Sequence, residues 1–255
     1  MRKTNKLKKR LKKGDTVIGT WCILPSSSIV NVIGASGLDF LIIDMEHGPI
    51  SYETAEDMIR AAESEDCSPL IRVSKNDDGE ILRVLDIGAH GVVVPHINNV
   101  QQRQLAIESI KYAPLGKRGL SPFTRAGGYD PDKPTEHTKN ENKETMSVLL
   151  VEGKEGIDNI ESIMDPSIDV LYIGVYDLSQ SLGFPGEVER KEVKEHLEAC
   201  VKKARKRKIA VGSFTNNLKT LKWFKDIGIQ FITYSLDSTE LCRSFKHLIK
   251  EFKKY

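Results

Sequence analysis

Apolar residues follow two alternating rhythms along this chain. Short, β-branched runs occupy residues 16–24, 39–45, 69–73, 91–95, 148–151, 170–174, 209–213 and 231–234. Each is nearly continuous in its apolar character, as strands covered on both faces are. Between them apolar residues recur every three or four positions. Residues 52–64 place Ala55, Met58, Ile59 and Ala62 on one helical face, and residues 79–87 do the same with Ile81, Leu82 and Leu85. Segments 100–110, 157–163, 193–207, 218–227 and 238–252 repeat the pattern. Strand and helix in alternation imply parallel pairing through crossover helices. Eight strands predict an α/β protein whose sheet closes into a (β/α)8 TIM barrel, with residues 1–255 forming one domain. A doubly wound open sheet would carry a glycine-rich phosphate turn after its first strand, where this chain has Leu24-Pro-Ser-Ser-Ser28.

Two segments stand outside the rhythm. Residues 1–14 are basic, with Leu7 and Leu11 four apart, which predicts a short amphipathic helical extension over one end of the fold. A long loop after strand 4, residues 113–145, shows no periodic pattern. Its first half, with Arg118-Gly-Leu-Ser-Pro-Phe-Thr-Arg125, is expected to wall the active site, and residues 130–144 to form a mobile excursion.

Composition narrows the partners. Lys plus Arg (38) nearly balance Asp plus Glu (36), and the net charge of +2 makes no electrostatic case for nucleic acid or a membrane surface. The basic N-terminus could serve as a nucleic-acid arm, but basic residues interleaved with aromatics do not recur elsewhere. Small solutes are the expected partners. No apolar run approaches the roughly 18 residues of a membrane span, and none follows the N-terminal charges as a secretory signal requires. Cys22, Cys67, Cys200 and Cys242 are scattered, without paired spacing, which suits buried thiols in a reducing compartment. A soluble cytoplasmic protein is expected.

Active sites of barrels sit at the C-terminal strand ends, and there the chain concentrates ionisable residues. The second strand ends in Asp44-Met-Glu-His47, the third in Arg72 and the fourth in His96. The fifth delivers Glu152 and the sixth Asp177. Glu152 and Asp177, from adjacent strands, can converge on a hard, oxygen-seeking cation such as Mg2+ or Mn2+; local ion pairs or helix caps are the alternative. His47, exposed by the Gly48-Pro49 turn, is a natural proton carrier near neutral pH, with Asp44 as a candidate to fix its tautomer. Arg72 closes an apolar strand, where a guanidinium needs an anion. A substrate carboxylate or an internal pair with Asp44 or Glu46 would satisfy it.

Taken together these segments resemble the HpcH/HpaI aldolases, a metal-dependent class II family. The resemblance runs through Gly37-Leu-Asp-Phe-Leu-Ile-Ile-Asp-Met-Glu-His-Gly-Pro49, Leu70-Ile-Arg-Val73 and Asp86-Ile-Gly-Ala-His-Gly-Val-Val-Val-Pro95. It continues in Tyr112-Ala-Pro-Leu-Gly-Lys-Arg-Gly119, Val151-Glu-Gly-Lys-Glu155 and Ile173-Gly-Val-Tyr-Asp-Leu-Ser179. It implies cleavage or formation of 4-hydroxy-2-oxo acids through a pyruvate enolate, with an aldehyde as the other partner. It also implies a divalent cation (Mg2+ or Mn2+, with Co2+ a further candidate) on Glu152 and Asp177, His47 as acid/base oriented by Asp44, and Arg72 on the pyruvate carboxylate. Gly174, Tyr176, Arg125 and Ser213 would contribute to substrate binding. A homo-oligomer, a hexamer or trimer of dimers, is implied as well.

The chain departs from the family where a Gln commonly stands two residues before the metal Glu, here Leu150, and where Gly-Pro-Ala-Asp is replaced by Gly174-Val-Tyr-Asp177. Three other readings compete: a Schiff-base aldolase using Lys75 or Lys154, an acyl-CoA lyase of the wider superfamily, and a barrel that binds a 2-oxo acid without turnover.

Overall fold

A computed structural model describes residues 4–255. Eight parallel strands close into a barrel in chain order: β1 (Val17–Cys22), β2 (Phe40–Asp44), β3 (Ser68–Arg72), β4 (Gly91–Val94), β5 (Met146–Val151), β6 (Val170–Ile173), β7 (Ala210–Thr215) and β8 (Phe231–Leu236). Closure is made by β1 against β8, with Val17 opposite Phe231 and a register shift between Gly19 and Trp21. Every apolar run read as a strand forms one, with ends moved by a few residues.

Alternation along each strand sorts the apolar residues into two layers. Phe40, Ile42, Leu70, Val93, Val148, Leu150, Val170, Tyr172 and Phe231 fill the barrel. Leu41, Ile43, Ile71, Val92, Val94, Leu149, Leu171 and Val211 pack outward against the helices. Phe40 and Phe231 stack at 4.0 Å between ring centroids, and space at the centre is tight. A Cβ on Gly91 would lie 2.6 Å from the Met146 Cβ, so this inward position admits only glycine without displacement.

The shell comprises α3 (Tyr52–Ser64), α4 (Asp78–Asp86), α5 (Val100–Ile110), α10 (Lys191–Lys206), α11 (Leu218–Ile227) and α12 (Asp237–Phe252), all anticipated by periodicity, with α2 (Ser27–Ala35) added. The segment 157–163 is divided into α7 (Lys154–Asp158) and α8 (Ile160–Ile163), and a short α9 (Val175–Ser181) follows β6 directly. The basic extension is helix α1 (Lys6–Lys13), whose Leu7 and Leu11 join the barrel-interior cluster and seal the N-terminal end; residues 1–3 of that reading lie outside the described residues. No helix among the described residues is long and apolar enough to cross a membrane. Cys22, Cys67 and Cys200 are buried and unpaired, whereas Cys242 is exposed on α12.

The loop after strand 4 departs from expectation twice. Residues 130–144, expected to be a mobile excursion without a regular element, carry α6 (Pro134–Glu144), opened by Pro at its first turn. Its buried residues are His137, Glu141 and Glu144, so the inward face is polar and leaves no apolar period to read. Residues 113–129 do not wall the active site of this chain. The Arg118 amide donates to the Lys111 carbonyl at the end of α5, and the Arg118 guanidinium pairs with Asp86 at the end of α4. Both helix ends lie on the N-terminal side of the barrel. A connection that begins after a helix leaves from that side, opposite the strands' C-terminal ends.

Candidate active site

The inward parity of each strand fixes which terminal side chains share the C-terminal mouth. Phe40 and Ile42 point inward, so Asp44 does too; Leu70 is followed by Arg72, Val148 and Leu150 by Glu152. These residues line a cleft of about 360 Å3 together with His47, Gly174, Tyr176, Asp177 and the apolar Trp21, Ile23, Leu150, Val175, Phe214 and Leu236.

Arg72 organises one side of this mouth. Its Nε donates to Asp44 Oδ1 at 2.9 Å and its Nη2 to Asp44 Oδ2 at 2.5 Å, while Nη1 lies 3.0 Å from a Glu46 carboxylate oxygen. The guanidinium carbon stands 4.6 Å over the Trp21 ring. Burial alone would weaken its proton affinity, but Asp44 and Glu46 outweigh that and leave the Arg72 pKa raised. Asp44 is spent on this pair and on the backbone N–H groups of Glu46 (3.0 Å) and His47 (3.2 Å). It therefore holds the His47 backbone and not its ring, contrary to the expectation that it fixes the tautomer. The exposed His47 imidazole has no hydrogen-bond partner among the described residues and faces the cleft.

Glu152 immediately follows β5, and Asp177 lies in the first turn of α9, whose N-cap is Gly174. The missing side chain of Gly174 leaves the gap between them: a Cβ there would sit 2.9 Å from Asp177 Oδ2 and 3.1 Å from the Glu152 Cβ. Burial raises the Glu152 pKa, a hydrogen bond from the His96 amide opposes this, and the Asp177 and Glu46 charges add to the rise. Asp177 is raised chiefly by burial as well. Two partly buried carboxylates, both raised chiefly by burial, are a donor pair that a hard cation would relieve. The residues present fit such an ion. No group of three or more His, Cys, Asp or Glu side chains forms a fuller cage among the described residues, so water and substrate oxygens would complete the coordination.

His96 was legible at the end of the fourth strand, but nothing in the sequence gave it a role. Its backbone is left-handed (φ 57°). Its amide donates to Glu152 Oε1 at 2.9 Å, and its ring bridges Glu152 (Nδ1, 2.8 Å) and Glu46 (Nε2, 3.2 Å). Trp21, Tyr172, Phe214 and Leu236 are further lining residues that sequence reasoning missed; only strand parity, once the register is known, singles them out.

Of the five expected substrate-binding residues, Arg72, Gly174 and Tyr176 line the cleft and two do not. Ser213 shares the outward parity of Val211, is fully buried, and donates to the Ile173 carbonyl at 2.9 Å; its neighbour Phe214 faces the cleft instead. Arg125 pairs with Glu63 near the end of α3 and donates to the Ile87 carbonyl, which places it at the N-terminal end of this chain's barrel. Lys75 and Lys154, the amines of the Schiff-base alternative, are 64% and 71% exposed and stand beside Asp77 and Asp158. Neither has the desolvated surroundings of a Schiff-base amine.

A closed barrel with a carboxylate pair, an imidazole and a guanidinium at its C-terminal mouth has counterparts among known proteins. The sequence pattern of the HpcH/HpaI aldolase/citrate lyase family matches residues 18–244, and the chain belongs to that family. It is thus an enzyme of the metal-dependent aldolase class, a carbon–carbon lyase. A 4-hydroxy-2-oxo-heptane-1,7-dioate aldolase of Salmonella dublin is 32% identical over 251 residues, covering 97% of this chain and 94% of that protein. A hydroxypyruvate/pyruvate aldolase of Paraburkholderia phytofirmans is 29% identical, covering 98% of each. Among solved structures, an HpcH/HpaI aldolase/citrate lyase family protein from Burkholderia cenocepacia superposes with a TM-score of 0.91 at 27% identity, over 98% of this chain and 100% of that one.

Proposed function

We propose that this chain catalyses the reversible cleavage of a 4-hydroxy-2-oxo acid into pyruvate and an aldehyde, with Mg2+ or Mn2+ (Co2+ being a further candidate) held by Glu152 and Asp177. One observation carries the reading: Glu152 and Asp177 flank Gly174 and line the same cleft as Arg72 and His47. The cation, when bound, supplies Lewis-acid polarisation of the 2-oxo group. Arg72 spends three contacts on Asp44 and Glu46. A guanidinium has five N–H groups, so two remain for the pyruvate carboxylate.

In the cleavage direction His47 takes the proton of the 4-hydroxyl. The bond between the third and fourth carbons breaks, the aldehyde departs, and the electron pair passes to the pyruvate enolate. The fixed Arg72 charge stabilises that enolate, which then takes up a proton.

The test is pyruvate release from a 4-hydroxy-2-oxo acid before and after chelation. EDTA abolishes release, and added Mg2+ or Mn2+ restores it; full activity in excess EDTA would remove the cation from the reading. The buried, unpaired thiols accord with a reducing, cytoplasmic setting. A homo-oligomer is supported by α12, whose Phe245, Leu248, Ile249 and Phe252 are each more than half exposed.

A further inference from the structure

At the end of β4 the ladder to β5 contains one residue more than its register allows. Val94 lies opposite Leu149, so an unbroken ladder would bond the His96 amide to the Leu150 carbonyl. The Ile97 amide makes that bond instead, at 3.0 Å. Pro95, which has no amide to donate, and His96 therefore form a bulge, with His96 in the left-handed backbone region (φ 57°). That conformation is strained for a residue with a Cβ, and bulges beside active sites re-aim the groups they carry.

The groups re-aimed here are both parts of His96, and they meet one atom. The amide released from the ladder donates to Glu152 Oε1 at 2.9 Å, and the ring Nδ1 lies 2.8 Å from the same oxygen. On its other side the ring places Nε2 3.2 Å from Glu46 Oε1, while the second Glu46 oxygen lies 3.0 Å from Arg72 Nη1. The His96 side chain is 62% exposed, so packing does not fix the ring; the two carboxylates do. Glu152 Oε2 has no hydrogen-bond or ion-pair partner among the described residues.

We propose that His96 is the positioning residue of the cation site: it fastens Glu152 by Oε1, so that Oε2 is the oxygen offered to the ion. This rests on the cation reading above and extends it to a residue that does not itself touch the ion. Glu152 follows β5 directly, and without the ring its carboxylate would turn about the side-chain bonds. A ligand already held in place loses less rotamer freedom when the cation binds. The bridge through Glu46 also ties this ligand to the Arg72 guanidinium, so the two halves of the mouth are held at one spacing. Every one of these contacts is made within one chain, whatever a neighbouring subunit adds at the mouth. With both ring nitrogens against carboxylates, His96 is not a second proton carrier beside His47.

The experiment is calorimetric titration of the full chain with Mn2+, in the wild type, His96→Gly, His96→Asn and Glu152→Ala. Glycine keeps the amide bond to Oε1, suits the left-handed backbone and removes only the ring. It should weaken Mn2+ binding by about tenfold or more, as loss of a group that orients a metal ligand does. Asparagine also tolerates this backbone and carries an amide nitrogen where the ring has Nδ1, so His96→Asn should bind Mn2+ more tightly than His96→Gly. The stoichiometry of each titration reports the folded fraction separately from its affinity. Saturating Mn2+ should bring pyruvate release by His96→Gly back near the wild-type rate, whereas His47→Ala should stay slow at any Mn2+ concentration. Wild-type affinity in His96→Gly, or no advantage of asparagine over glycine, overturns the proposal, and so does turnover that stays low in saturated His96→Gly. Each of these leaves the cation reading intact. A wild type that does not bind Mn2+, or Glu152→Ala with unchanged affinity, withdraws both.

Discussion

His47 and Glu152 stand in one cleft but are asked for different things, and their variants should separate accordingly. His47→Ala and Glu152→Ala are each expected to lower turnover about a hundredfold or more. Calorimetric titration with Mn2+ should show near-normal affinity in His47→Ala and a large loss in Glu152→Ala; equal cation affinity in the two variants would break this division of roles. Asp44, Arg72 and Glu152 were legible in sequence because each ends an apolar run, where a charge is costly without a purpose. The role of Asp44 was not legible. Whether its oxygens meet an imidazole or a guanidinium depends on β2 and β3 pairing with Asp44 opposite Arg72, which neither strand encodes alone. Ser213 and Phe214 show the same limit, since one residue of parity separates the helix side from the cleft.

Among the elements, α1 and α6 are joined through polar contacts that hydropathy cannot reveal. Asn5 caps α1 by accepting from the Lys8 amide, and its own side-chain amide donates to the carbonyls of His90 and Glu144. Its backbone N–H donates to the Glu144 carboxylate at 2.7 Å. Asn5→Ala should destabilise the protein by about 2–3 kcal/mol in urea unfolding, combining a lost cap with the loss of the side-chain bonds to the His90 and Glu144 carbonyls. Amides late in α6 should lose exchange protection in the same variant, and wild-type amides at 138–144 should exchange slowly. Rapid exchange there in the wild type would restore the mobile excursion that the residue pattern suggested. The barrel strands, by contrast, were legible because β-branched runs buried on both faces leave a strong signal. Helix α6 was not, because its buried face carries His and Glu.

For the molecule as a whole, acid stability should report the tie between α3, the β4 approach and the long loop. Burial would raise the Glu63 pKa, but hydrogen bonds from His90 and Arg125 prevail and hold it at about 2, against an ordinary 4.5. A carboxylate depressed by folding adds stability that is complete above its unfolded pKa and disappears as pH falls through its folded one. The wild type should therefore lose on the order of 1–2 kcal/mol more than Glu63→Gln between pH 5 and pH 2, after allowance for partial exposure. Parallel pH profiles would show that the cluster adds nothing. Assembly is the second whole-molecule property. The exposed apolar face of α12 should make the wild type run well above its 28.6 kDa chain mass in sedimentation, and Phe245→Glu with Phe252→Glu should reduce the assembled fraction. A wild-type monomer at micromolar concentration would leave that face without the proposed purpose.

Apolar periodicity by itself determined that eight strands alternate with helices, that they close on one another, and that charges gather where the strands end. Those features follow from burial and repeat length, which are local properties of the chain. Only the tertiary structure decided which of those charges meet. Arg72 reaches Asp44 and Glu46, His96 reaches Glu152, and Arg125 lies at the far end of the barrel, because partners 26 to 62 residues apart are chosen by strand register and by the side from which each connection leaves.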